Sequence, residues 1–318
     1  SINTNNNNID NVNKQSSIEW KSTLRFQEGE NINDFQWHPL LSSSEQSNCL
    51  FACATRDHPI HLWNVVTQKI QASFVALDQY FEPEAAVSVH FSLDGTELFA
   101  GFKNRFRIFT VDNPSQSPFD VETFHKKTNP EGVQGLVSCF ATNAIQPNML
   151  AIGSYNGTIG LFDVQRQPTC AALLNSHFGG VTQLKFSANG MYLFSGARKD
   201  GDIICWDLRT MTTLTRYKRD CTTNQRLQFS LSRDGRSLLT PSTDGFVLRH
   251  DLTQVDGNVV PERLGPFASV VNSVSYHPHV DHLFAVGTGE RIYSPAFIEE
   301  DDDDSDDDDD DNNDDDGG

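Results

Sequence analysis

Short apolar runs, broken by Asp-Gly, Asn-Gly or Pro turns, follow one another along most of the chain. The clearest unit runs from Phe194 to Arg209: a strand end, a tight turn at Arg198-Lys199-Asp200-Gly201, an apolar strand, and a stop at Trp206-Asp207. Six strand ends share this form, at 61–64, 107–110, 160–163, 204–207, 248–251 and 291–294. The third place in each is aromatic or His, at 63, 109, 162, 206, 250 and 293, with gaps of 43 to 53 residues. An earlier hairpin precedes most of them, as in Val89 to Gly95, Leu184 to Gly190 and Phe229 to Gly235. Asp-Gly and Asn-Gly between alternating apolar residues are strong short-range hairpin signals. A repeat near 45 residues predicts the blades of a β-propeller, each burying its faces against its neighbours.

The predicted fold is therefore all-β, and the Trp-Asp endings mark it as a WD40 β-propeller with six detectable blades. Trp20 to Phe26 reads as an orphan outer strand. Two readings stay open for it: it closes the ring on the last blade, or it ends a seventh blade truncated upstream. The longest gap holds the polar stretch Asp112 to Gly132, expected as a loop insertion on one rim. The third repeat matches least well, with Gln146-Pro147-Asn148 where others have a Gly turn. Within the fourth, His177, Ser195, Asp200 and Trp206 take the places where WD repeats build a buried hydrogen-bonded tetrad. Asp200 and His177, tempting as an acid and a base, are thus read as structural.

Both ends are compositionally biased. Residues 1–17 are Asn-rich and 299–318 nearly all Asp, so both are read as disordered segments flanking a propeller at 18–298. The chain starts at Ser1 rather than Met, which reads as a fragment or a processed form. The formal charge of −19 comes mostly from the tail: 15 of 43 acidic residues lie between Glu299 and Asp316. The remaining 28 acids face 24 Lys and Arg, leaving a near-neutral body with room for a basic face. Cys49, Cys53, Cys139, Cys170, Cys205 and Cys221 form no Cys-x-x-Cys pair, and most sit in or beside apolar runs, as small hydrophobes do. No signal peptide and no membrane-length apolar run is present, so no membrane partner is expected. Reduced thiols point to cytosol or nucleus.

Catalytic motifs do not converge. No phosphate-cradling Gly loop, Gly-x-Ser-x-Gly elbow or His-Glu-x-x-His pair occurs. His277, His279, Asp281 and His282 would suit zinc by type but occupy a hairpin-turn position, and Cys49, Cys53 and His58 are equally weak. No metal, cofactor or small-molecule substrate is expected. A binding surface remains. The turn between the second and third strands of a blade, and the loop entering the first, face one end of the ring. That end receives Arg56 and His58, then Lys103 and Arg105, then Arg198 and Lys199, and the loop carrying Lys218, Arg219, Asn224, Gln225 and Arg226. Phe102 and Tyr155 are interleaved as base-stacking platforms, a composition suited to RNA. The plain alternative is a set of solvated turn charges balanced by Asp57, Asp200 and Asp220.

Arg56 to Trp63, Leu98 to Phe102, Arg105 to Phe109, Phe194 to Arg209 and Thr222 to Arg226 resemble the telomerase Cajal body protein family, over about Trp20 to Tyr293. The resemblance implies a non-enzymatic WD40 protein that recognises a short box in the terminal loop of small Cajal body (H/ACA-type) RNAs. It extends to telomerase RNA and telomerase RNP proteins as partners in some organisms. A nuclear place follows, in Cajal bodies or an equivalent body, with a cytoplasmic pool beside it. Arg198 and Lys199 would then contact phosphate or base edges, and Asn224, Gln225 and Arg226 would read a base or, for Arg226, brace the loop. The rival reading is a WD40 interaction scaffold in a nuclear RNP or spliceosomal assembly.

Overall fold

A computed structural model describes residues 24–289, apart from 128, 130, 165–167, 254–259 and 281. Strands dominate, and they form six sheets in chain order, each an antiparallel meander. The first holds β1 to β4 (Ile32–Trp37, Leu50–Thr55, Ile60–Asn64, Lys69–Phe74) and the second β5 to β8 (Ser88–Phe91, Glu97–Phe102, Arg105–Thr110, Phe119–Glu122). The third holds β9 to β12 (Val137–Thr142, Met149–Ser154, Thr158–Asp163, Thr169–Asn175) and the fourth β13 to β16 (Val181–Phe186, Tyr192–Ala197, Asp202–Asp207, Thr212–Lys218). The fifth holds β17 to β20 (Ser230–Leu231, Ser237–Pro241, Val247–Asp251, Glu262–Leu264). Two strands of the sixth are described, β21 and β22 (Val271–Tyr276, Phe284–Thr288).

The core is a series of layers between consecutive sheets, as blades require. Leu50 and Leu62 pack with Val89 and Leu98; Phe99 and Phe106 with Phe140 and Ile152; Ala151 and Leu161 with Leu184 and Trp206. Phe194 and Ile203 then meet Phe229 and Leu238, and Leu239 meets Val271. Middle strands such as β2 and β10 are buried on both faces, because each is sandwiched by two neighbours, while outer strands such as β4 are mostly exposed to water. Each buried Leu or Phe contributes about 1.5–3 kcal/mol. The register slips by one residue where Trp63, Phe162 and Trp206 meet their outer strands, a repeated bulge that increases twist at the same point in three blades.

Two expectations change. The Asp112 to Gly132 stretch is not a bare insertion, since it contains β8, the outer strand of the second blade. Leu24 to Phe26 form no strand; Phe26 instead packs edge-on against Phe51 and Trp63. The rest of that proposed strand, the Arg291 to Ser294 strand end, the Asn-rich segment and the acidic tail lie outside the described residues.

Candidate nucleic-acid interface

The fourth blade fixes its upper end with a closed hydrogen-bond chain. Trp206 Nε1 donates to Ser195 Oγ at 2.8 Å, Ser195 Oγ meets His177 Nε2 at 2.7 Å, and His177 Nδ1 meets Asp200 Oδ2 at 2.7 Å. With its Nδ1–H donated to Asp200, the His177 ring leaves Nε2 to pair with the Ser195 hydroxyl. Burial works against the Asp200 carboxylate, yet hydrogen bonds from His177 and from the Asp202 and Phe178 amides hold its pKa below the ordinary range. Leaving such a buried donor unpaired costs about 1–3 kcal/mol. Asp200 and His177 are thus committed to holding the turn. The first blade answers the same demand differently: Glu28 accepts from Trp63 Nε1 at 2.5 Å and meets His61 Nδ1 at 2.9 Å.

Above the tetrad, Tyr155 on the β10–β11 turn gathers two arginines. The Arg198 guanidinium lies 4.1 Å from the centre of its ring and donates to its hydroxyl at 2.9 Å. Arg226 donates to the same hydroxyl at 2.7 Å, and its other Nη lies 3.6 Å from Asp34 Oδ1 on β1. Burial pushes Asp34 up to about 6, against the pull of Arg226 and the Val89 amide.

Lys199 is exposed and stands at φ 51°, in the left-handed region. Asp57 and Asn104 occupy that region on the corresponding turns of the first two blades, and both types tolerate it; Lys has no such local compensation. The Lys199 amide donates to the Thr223 carbonyl at 3.2 Å, tying this turn to the loop that exposes Asn224 and Gln225. Together Tyr155, Phe178, Arg198, Lys199 and Asn224 line an open cleft of about 280 Å³.

Comparison with known proteins places this arrangement. The WD domain, G-beta repeat family matches residues 168–207, the stretch that holds the tetrad. Telomerase Cajal body protein 1 of Mesocricetus auratus is 38% identical over 277 residues, covering 85% of this chain and 50% of that protein. The Telomerase Cajal body protein 1 homolog of Drosophila melanogaster is 33% identical over 248 residues, covering 76% of this chain and 44% of its own length. This chain is a WD40 propeller homologous to the telomerase Cajal body proteins. It spans about half the length of those telomerase Cajal body relatives. A solved structure titled "Crystal Structure of Mitotic Checkpoint Complex" matches with a TM-score of 0.60 at 20% identity, over 79% of this chain and 69% of that one, and shares the fold alone.

Of the residue runs that resemble the telomerase Cajal body family, Phe194 to Arg209 and Thr222 to Arg226 meet at the cleft. The other rim residues divide. Phe102 is 1% exposed, with Arg107 5.0 Å from its ring centre, so it is core and offers no stacking face; both faces of β6 are buried. Arg219 is 6% exposed and donates to the Leu227 and Ala197 carbonyls, so it braces the loop from inside and is removed from the binding set. Arg105 lies 3.2 Å from Glu84 and 3.6 Å from Asp120, which also hold Arg107. Arg56 is exposed and 3.5 Å from Asp57; His58 and Lys103 are exposed on their turns. His277 Nδ1 accepts the His279 and Val280 amides, which explains that His-rich turn without a metal; Asp281 lies outside the described residues. Among the described residues no group of His, Cys, Asp and Glu is arranged to hold a metal ion.

The sequence missed Phe178, which is 98% exposed at the cleft edge, although it directly follows the tetrad His177. Asp34 and Glu28 were missed as well. They gave no local signal, because their partners come from other blades or from another part of the first.

Proposed function

We propose that this chain is a non-enzymatic RNA-binding propeller that receives the unpaired terminal loop of a small Cajal body (H/ACA-type) RNA on the rim of blades three to five. The single observation that carries the reading is the Arg198, Lys199 and Asn224 cluster around Tyr155. There two cations face the solvent side without a carboxylate partner among the described residues, next to exposed amide side chains. A splayed loop offers phosphates to such cations and base edges to such amides. The names of the relatives support a nuclear place in Cajal bodies, with telomerase RNA and its RNP proteins as further partners. Arg56, His58 and Lys103 lie further along the same rim, where a longer RNA would reach them.

The test is to crosslink the full-length protein to RNA in nuclei and sequence what is recovered. Enrichment of H/ACA guide RNAs with crosslinks in terminal loops is the expected outcome. Recovery of background RNA only, beside a stable protein partner, would overturn it in favour of the scaffold reading.

A further inference from the structure

We propose that Phe178 and the outward face of the Arg198 guanidinium form a slot for one unpaired RNA base, with Phe178 as the stacking platform. The inference rests on the RNA-binding reading above and assigns the recognising surface within it.

Phe178 is the most exposed large apolar side chain among the described residues, at 98%, and its backbone is tied at several points. Its amide is held by Asp200, one residue past the tetrad His177. The next two residues are Gly179 and Gly180. A Cβ on Gly179 would fall 1.8 Å from the Arg198 carbonyl oxygen, and one on Gly180 would fall 2.7 Å from the Tyr155 Cα. The loop is therefore pressed onto the very turns that carry Arg198 and Tyr155, and only glycine permits that approach. A backbone tied at Phe178 and again at Gly179 and Gly180 presents the Phe178 side chain at the cleft.

The opposite wall is planar and charged. Tyr155 lies against the Arg198 guanidinium, so in this proposal Tyr155 is not the platform the sequence suggested; it props the guanidinium, and the base takes the opposite face. Guanidinium planes and aromatic rings are the two surfaces on which unstacked RNA bases stack. Arg198 Nε is also buried without an acceptor among the described residues, an unmet donor within this wall. At about 280 Å³ the cleft sits at the small end of ligand sites, suited to one planar group rather than a run of them. Asn224 at its margin offers both a donor and an acceptor to a base edge, and Lys199 a charge for the adjoining phosphate. A lone exposed Phe is ordinary on protein surfaces. One fixed beside a ring-backed guanidinium is a different object.

The experiment uses the full-length protein and a hairpin RNA carrying an H/ACA guide terminal loop, with each loop position replaced in turn by an abasic nucleotide. Wild type should show one dominant abasic-sensitive position. Phe178→Ala should weaken binding by about 5- to 150-fold, leave the slope of affinity against salt unchanged, and erase the sensitivity at that position. Phe178→Trp should keep wild-type behaviour, whereas Phe178→Leu, apolar but without a ring, should behave as Ala. The slot is overturned if Phe178→Ala binds within twofold with its abasic profile intact, if Phe178→Leu equals wild type, or if no abasic position stands out. Each of these leaves RNA binding itself standing. A wild-type protein that binds none of these hairpins would instead remove the RNA reading and the slot with it.

Discussion

Two arcs of the rim carry similar basic sequence and end up electrostatically opposite. On the second blade, Arg105 and Arg107 point at Glu84 and Asp120, with N–O separations between 3.2 and 3.7 Å. Cation and anion cancel there, and these two arginines present little field to a polyanion, leaving Lys103 as the exposed cation of that turn. On the third and fourth blades, Arg198 is supported by a ring and a hydroxyl, both neutral, and Lys199 by backbone alone. A cation held by a π face keeps its charge while losing its mobility. The lesson is that counting Lys and Arg on one face overstates the footprint; what holds each cation in place decides whether its charge remains available.

The sharpest way to break this contrast is Arg198→Ala with Lys199→Ala. Affinity for the loop RNA should fall on the order of 100-fold, with the log affinity against log salt slope shallower by about 0.7 to 1.4, since each lost phosphate contact removes about 0.7. Anisotropy titrations at several salt concentrations read both, and unchanged binding by a double variant with wild-type melting would remove the site from this arc.

A second effect concerns Asp34, a carboxylate that reaches the open arc through Arg226. Its pKa in the folded protein, about 6, lies above the ordinary aspartate value, so the native state binds the extra proton between roughly pH 4 and 6. Stability from this group is therefore present at low pH and lost as pH rises through 6, on the order of 3 kcal/mol. Asp34→Asn should flatten that part of the pH dependence of the urea midpoint. An unaltered profile would mean the carboxylate is not buried against Arg226 in this way.

The smallest effect belongs to the cancelled arc. Arg105→Ala should change RNA affinity less than twofold while lowering stability by about 1 kcal/mol, as Glu84 loses a partner. A loss of RNA binding comparable to the Arg198 and Lys199 variant would erase the distinction between the arcs.

The blades and the tetrad were legible because they are local and periodic: Trp206, Ser195, Asp200 and His177 lie within one repeat and at its usual spacing. What escaped was set by the ring. Arg226 and Tyr155 are 71 residues apart, and meet because the loops that carry them come together at one end of the blades. The strand β8 was hidden because, in Phe119 to Glu122, only Val121 is buried, too little alternation to stand out from a polar stretch. Phe102 looked like turn decoration because it ends a strand, but that strand is packed on both sides. Arg219 looked like a loop charge until two backbone carbonyls inside the blade claimed it.

The tie from Arg226 to Asp34 joins the loop of the fifth blade to the innermost strand of the first. Along the perimeter those two parts are separated by every intervening blade. Through the hub they are one contact apart, like rim points joined by a spoke. Pulling on the Tyr155 hydroxyl therefore tugs the far side of the wheel as directly as the near side, and the opening between them is set by a strut rather than by the sum of the joints around it.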